Sequence, residues 1–353
     1  MARYRPAEMS KTERFARFVD VTGVAGLVRR LGAWTGVLVF NYHRIGGVDH
    51  AYDAGIWDAS PATFEQQVRL LEREFDVIAP VELEAAVRGV GGRYVMLTFD
   101  DGYRDNFTEA FPVLRAHGLP ATFFVTTGFL DTRRIAWWDE IAWIVRAAEG
   151  RELWARPWME GPLSLEPAAQ QVTVRTLINL CASLPEEAQE ALLDALGEAA
   201  DTGRHRPARD FWMTWDQIRE LRAAGMHIGG HSVSHPQLAA LSTDDQHREI
   251  TGCQARLEAE LGEPMRYFSY PFGGRESFAE STRGILASSG VEFAFSFYGG
   301  SQRFDDWDRF DVRRCCVGQT VSPQRFALMV TMPQIFSRPK VPRRAGAFAR
   351  GQG

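Results

Sequence analysis

Two adjacent carboxylates, Asp100 and Asp101, end an apolar run in LTFDDGYRDN, and Gly102 follows at once. Carboxylates side by side at the mouth of a strand repel each other and lose hydration, so their placement needs a reason. One reading is structural: an Asx turn at Asp101–Gly102, with Asp100 capping the next helix. Another is an acidic magnesium pocket of the phosphoryl-transfer kind. A second pair of residues changes the balance. His231 and His235 stand four apart in HSVSHP, a spacing that puts both imidazoles on one side of a helical turn and lets them converge on one ion. With one carboxylate they form a His₂–carboxylate set, which suits zinc with an open water position. Magnesium prefers oxygen ligands, so two imidazoles argue against the phosphoryl reading. Two aspartates then have two tasks. One holds the metal, and the other takes a proton from a water whose pKa the metal lowers to about 7. A nearby cation would keep that second carboxylate ionised and oriented.

Such residues must be carried by a scaffold. In α/β folds functional groups gather at the C-terminal ends of strands, and the polar residues here fall at those positions. GVLVFNYH reads as a strand ending in His43, RYVMLTFDD as one ending in the two carboxylates, and MHIGGHS as one ending at His231. RYFSYPFG ends in Ser269, Tyr270 and Phe272, while ATFFVTT, VEFAFSF and DVRRCCV are further strands. Helices alternate with them. PATFEQQVRLLEREF carries the stripe Phe64, Val68, Leu71 and Phe75 behind the N-cap Ser60 and the first-turn Pro61. DNFTEAFPVLRAHG, STDDQHREITGCQARLEAELG and ESFAESTRGILASSG also read as helices, and TWDQIRELRAAG opens with Thr214 and Gln217 in capping-box spacing. Apolar runs without alternation indicate strands buried on both faces, as in a parallel sheet. The repeated order of strand and helix gives an α/β class, open or closed into a barrel; periodicity does not choose between the two. The rhythm breaks over residues 131–209, which read as a mostly helical insertion packed beside or over the main domain. Residues 1–35 read as an N-terminal helical extension, and 36–336 as the main domain.

The bulk properties narrow the function classes. A chain of 353 residues can hold one large α/β domain or two smaller ones, and its formal net charge of −5 gives no electrostatic case for nucleic acid. Cys181, Cys253, Cys315 and Cys316 match neither a disulfide framework nor a zinc knuckle and fit a reducing compartment. VTGVAGLV is short and runs into Arg29 and Arg30, so a signal peptide is not expected, and no apolar run approaches a membrane span. The expectation is a cytoplasmic protein. The tail 337–353 has five cations and no acid and reads as a disordered, solvated tail; weak attraction to the inner, anionic membrane face is the sharper alternative. The sequence does not fix an oligomeric state.

The residues at the strand ends resemble the polysaccharide deacetylase family, the NodB-homology carbohydrate esterases. The family's TFDDG motif stands unchanged at Thr98–Gly102, and its His-Ser/Thr-x-x-His motif stands as His231-Ser232-Val233-Ser234-His235. The flanks LPATFFV and MTWDQIRELRAAGMHIGGH are similar too, and the likeness spans roughly residues 36–130 and 210–320. The resemblance implies a distorted (β/α)7-type barrel, closed where periodicity left the choice open, and hydrolysis of an acetyl group on an N-acetylated sugar or glycan with release of acetate. It makes Asp100 the general base and makes Asp101, His231 and His235 the ligands of a divalent metal. Zinc is favoured by ligand type, with Co2+, Ni2+ or Fe2+ able to occupy the same set.

The chain departs from the family at two motifs. The Arg-x-Pro-Tyr motif stands as Ser269-Tyr270-Pro271-Phe272, with Tyr270 and Phe272 left on the substrate and oxyanion side and the Phe272 N–H available to a developing negative charge. The arginine that orients the base is expected at Arg314, ahead of Arg313. The Leu-x-His motif of the general acid is missing from MVTMPQIF, and His43 in FNYHRI is the substitute, with a plain core histidine as the alternative. Trp137, Trp138, Trp143, Trp154 and Trp158 either pack the insertion or form a sugar-stacking wall, while His117, His205, His227 and His247 are taken as structural or surface residues. Without a signal peptide, a carrier-linked sugar or an oligosaccharide precursor is a more natural substrate than an extracellular polymer. Two competing readings stand beside the sugar deacetylase: hydrolysis of a non-sugar amide, and a catalytically inactive carbohydrate-binding descendant of the fold.

Overall fold

The apolar run GVLVFNY forms the first strand, β1 (Gly36–Tyr42), buried along its whole length. The computed structural model describes residues 34–89, 91–132, 134–205 and 210–336. The expected N-terminal extension, but for Trp34 and Thr35, and the basic tail 337–353 lie outside them. β2 (Arg93–Phe99), β3 (Thr122–Val125), β4 (His227–Gly230), β5 (Tyr267–Ser269), β6 (Phe293–Ser296) and β7 (Val312–Cys316) follow. All are parallel. Going round, the order is β1-β7-β6-β5-β4-β3-β2, and β2 pairs back onto β1 from Gly36↔Arg93 to Tyr42↔Phe99. The sheet is therefore a closed seven-stranded barrel, with the two-residue strand Asp76–Val77 added against the start of β2.

The strand period of two sorts the side chains into two cores. Val37, Val39, Met96, Phe295 and Val312 meet inside the lower barrel together with Phe124. Their neighbours Leu38, Phe40, Val95, Leu97 and Phe99 face outward against the helices. The inward series continues upward as Asn41 on β1, Thr98 on β2 and Asp100 just past its end, so the plug turns polar toward the C-terminal rim. The register pairs Asn41 with Thr98 directly.

The helices follow their sequence signals. Ser60 accepts a hydrogen bond from the Thr63 N–H at the head of Pro61–Glu74, and Thr214 and Gln217 make both bonds of the capping box before Trp215–Ala223. The helix expected over DNFTEAFPVLRAHG begins instead as a π-helical turn, Asn106–Ala110, and becomes α-helical only over Phe111–His117. Pro112 has no N–H to donate, and the Phe111 N–H reaches back to the Asn106 carbonyl in a widened turn.

The insertion holds helices Trp137–Ala147, Gln170–Ala182 and Glu186–Ala199, plus a small antiparallel pair, Glu152–Leu153 with Leu163–Ser164, absent from the helical expectation. Its apolar faces, with Ile141, Val174, Leu177 and Leu192, join the outer core of the barrel, so the insertion is packed onto the main domain. Another short pair went unanticipated: Arg44–Ile45 lies parallel to Trp57–Ala59 just beyond the end of β1. Among the described residues no helix is long and apolar enough to cross a membrane.

Candidate functional site

The barrel register brings the strand ends to one level. The Asp100 N–H donates to the Tyr42 carbonyl, and the His231 N–H donates to the Val125 carbonyl. From there the chain leaves the sheet in strained turns. Asp101, Ser232, His235 and Phe272 have positive φ angles of 76°, 65°, 63° and 62°, four of the six such non-glycine residues among those described. Each such conformation costs about 1–3 kcal/mol and persists where the surroundings fix it. Gly102, at φ 92°, completes the first turn, where an added Cβ would meet Leu130 and Val125 at 3.2 and 3.3 Å. His231 and His235 are thus carried on a loop and not on the helical turn that their spacing suggested. The loop is pinned by Glu249, whose carboxylate accepts from the Val233 and Ser234 N–H groups at 2.8 and 2.9 Å and from Ser234 Oγ at 2.6 Å.

Asp101, His231 and His235 converge. Each offers a ligand atom within 4.8 Å of the others. Nε2 of His231 and of His235 lie 3.4 and 3.5 Å from Asp101 Oδ1. His231 Nδ1 donates to the Ser269 carbonyl at 2.7 Å, which turns Nε2 toward the carboxylate. Burial, then the neighbouring His231, pushes His235 down to about 3, so its imidazole is neutral near pH 7. Asp101 is held below the usual carboxylate range by His231 and His235 against the opposing effect of burial. Its buried Oδ1 has no hydrogen-bond partner among the described residues. Two imidazoles around an orphaned carboxylate oxygen fit a divalent metal with an open position.

Asp100 has a different environment, not the helix cap that its sequence allowed. Arg314, fully buried on β7, donates Nη1 to Oδ1 at 2.7 Å and Nη2 to Oδ2 at 2.8 Å. Asn41 Nδ2 donates to Oδ2 at 3.1 Å. Burial opposes ionisation of Asp100, but the Arg314 charge outweighs it and holds the carboxyl far below its ordinary value. Arg313 is turned away and pairs with Asp306.

His43 lies on the same rim, where Nδ1 is 3.1 Å from Asp58 Oδ2 and the same oxygen accepts from the His43 N–H at 2.6 Å. Burial lowers its pKa, but the Asp58 hydrogen bond and charge more than offset this and raise it to about 9. Phe272 also reaches the site, with its ring 5.1 Å from that of His235, and its N–H has no hydrogen bond among the described residues. Tyr270 does not. Ser269 faces the barrel interior, so the next side chain points out; Tyr270 stacks on Phe278 at 4.0 Å and donates its hydroxyl to the Phe310 carbonyl. Its expected substrate role is corrected to a packing one.

The tryptophans divide in the same way. Trp138 is buried with its ring 4.5 Å from His235, its N–H donating to Tyr103, whose hydroxyl donates to Asp139 at 2.7 Å. Trp137 packs on Phe272 at 6.1 Å. Both are buried and wall the histidine. Trp143 stacks on His205, and exposed Trp154 lies under the Arg156 guanidinium. Beside the site, sharing Trp137 and Ser234, a cleft of about 770 Å³ runs under Glu186–Ala199 between Arg134, Arg204, Glu140 and Glu190.

Sequence reasoning did not find Asn41, Asp58, Asp139 or Glu249. Asn41 carried a faint signal, a lone amide in the apolar run GVLVF-N-Y. The others carried none.

A family model described as polysaccharide deacetylase matches residues 88–155 and 179–294. Among curated proteins, a putative polysaccharide deacetylase of Bacillus subtilis, YxkH, is 55% identical over 31 residues, 9% of this chain and 11% of that one. The poly-beta-1,6-N-acetyl-D-glucosamine N-deacetylase of Escherichia coli is 26% identical over 113 residues, 30% of this chain and 16% of that protein. The matches thus span a minor part of the curated relatives. Among solved structures, the Streptococcus pyogenes deacetylase PplD in complex with acetate has a TM-score of 0.55 at 20% identity, over 84% of this chain and 98% of that one. IcaB from Ammonifex degensii has a TM-score of 0.53 at 20% identity, over 86% and 96%. At that identity the two structures establish the barrel fold. With the family model covering more than half of its residues, the chain belongs to the polysaccharide deacetylase family.

Proposed function

We propose that this protein is a metal-dependent hydrolase that removes the acetyl group from an N-acetylated sugar of a glycan or carrier-linked saccharide. The observation that carries this reading is the pairing of an Asp101–His231–His235 cluster with an arginine-clamped carboxylate on the adjacent residue. Zinc suits the two-imidazole, one-carboxylate donor set. When bound, such an ion supplies Lewis acidity toward the acetyl carbonyl and a water of lowered pKa.

The chain's own groups do the rest. Asp100, kept ionised by Arg314, accepts the proton of the attacking water. The Phe272 N–H stabilises negative charge developing on the acetyl oxygen. His43, held protonated by Asp58, gives its proton to the nitrogen as the carbon–nitrogen bond breaks, leaving acetate and a free amine. The cleft at Trp137 and Ser234 has room for further sugar units. A binding module has no use for a carboxylate held ionised beside a ligand cluster, and this weighs against the inactive alternative.

The test is an acetate assay over free, nucleotide-linked and polymeric N-acetylated sugars with the zinc-loaded protein. Acetate and free amine appearing in equal amounts from at least one of them is the expected result. Absence of acetate from every member overturns the reading.

A further inference from the structure

Asn41 and Ser269 stand on opposite sides of the Asp100–Arg314 pair, and each touches both members. Asn41 Oδ1 accepts from Arg314 Nη1 at 2.6 Å, while its Nδ2 donates to Asp100 Oδ2. Its amide cannot be turned round, because Arg314 Nη1 can only donate and needs the Oδ1 acceptor; Thr98 Oγ1 lies 2.7 Å from the same oxygen. The β1–β2 register sets this contact by pairing Asn41 with Thr98, two residues before Asp100 on the same inward face. From β5, Ser269 Oγ accepts from Arg314 Nη2 at 2.7 Å and donates to Asp100 Oδ2 at 3.3 Å. Both side chains are fully buried.

Arg314 is fixed at its stem as well, with Nε donating to the Ser296 carbonyl at 3.0 Å. The guanidinium therefore has acceptors from four strands: Asn41 on β1, Asp100 at the end of β2, Ser269 on β5 and Ser296 on β6. Ser269 Oγ thus lies among the groups that seat the arginine from β7 against the carboxylate.

We propose that Asn41 and Ser269 are positioning residues for Asp100: acting through its carboxylate and Arg314, they hold the proton acceptor at one angle to the metal cluster. This rests on the deacetylase reading above. It assigns two residues, on strands that carry no metal ligand, a share of the reaction.

The experiment compares kcat, KM and metal content of the zinc-loaded parent with those of Ser269→Ala, Ser269→Thr and Asn41→Ala. Ser269→Ala removes one oxygen and leaves a small site, so the fold should persist; melting temperature checks this. A misaligned base loses its effect in the transition state alone, so we expect kcat to fall about tenfold at constant KM and constant metal content. Ser269→Thr, which keeps the hydroxyl, should recover most of that loss. A purely structural role would instead lower the melting temperature and leave the kcat of the folded fraction unchanged. An unchanged kcat for Ser269→Ala and Asn41→Ala overturns the proposal, as does a change in KM alone. Acetate release by the parent is scored first, so failure of the deacetylase reading shows there and failure of the positioning role shows in the variants.

Discussion

One peptide bond separates Asp100 from Asp101, yet the first carboxylate faces a guanidinium and the second faces two imidazoles. Their types and adjacency, and the four-residue spacing of the histidines, could be read from the sequence because both pairs are local. The partners could not. Arg314 lies 214 positions beyond Asp100, and Asp58 meets His43 only through a two-residue strand pair that no periodicity announces. The His43–Asp58 pair gives a pH prediction. Its folded pKa of about 9 means that the proton is present at neutral pH and is lost as pH rises through that value. The kcat/KM profile is therefore expected to fall above about pH 9. In Asp58→Asn that anion is gone and only the Asp101 and Asp100 charges still oppose burial, so the fall should move to lower pH. A basic limb at the same pH in both proteins would show that His43 is not the proton donor. His43→Ala should lose about 10²–10⁴ in kcat, and turnover near the parent's would refute the same role.

At the scale of elements, alternating strand and helix gave the α/β class, and the capping signals at Ser60 and Thr214 marked helix starts correctly. Closure could not be read this way, because an open and a closed parallel sheet have the same apolar runs; the β1–β2 pairing decides it. The loop carrying the histidines was missed for a related reason. Spacing of four is compatible with a helical turn, but Ser232 and His235 take left-handed backbone, and Glu249 from the helix Thr243–Leu261 satisfies the exposed N–H groups. The turn after β2 offers a direct test. Gly102→Ala forces a Cβ into left-handed backbone near Val125 and Leu130. Such a change should destabilise the protein by about 1–2 kcal/mol, read as a lower urea midpoint. Because the same turn aims Asp101, metal affinity should fall with it. An unchanged midpoint and an unchanged affinity would mean that this turn does not set the site.

For the whole molecule, the barrel plug turns from apolar to polar at the rim, and the insertion closes that rim with Trp137 and Trp138. A metal that binds only the folded site must then stabilise the whole fold. At about 100 times its Kd, zinc adds about 2.7 kcal/mol, so chelation should lower the melting temperature by several degrees and zinc should restore it. A melting temperature indifferent to both would argue against a ligand cluster at Asp101, His231 and His235. The central division of labour is tested most directly by measuring metal per chain and acetate release together in the parent, Asp100→Asn and Asp101→Ala. We expect Asp100→Asn to keep the parent's metal content while acetate release falls by about 10²–10⁴, and Asp101→Ala to lose both. Parent-level release from Asp100→Asn, or parent-level metal in Asp101→Ala, would contradict the assignment of one carboxylate to the proton and its neighbour to the metal.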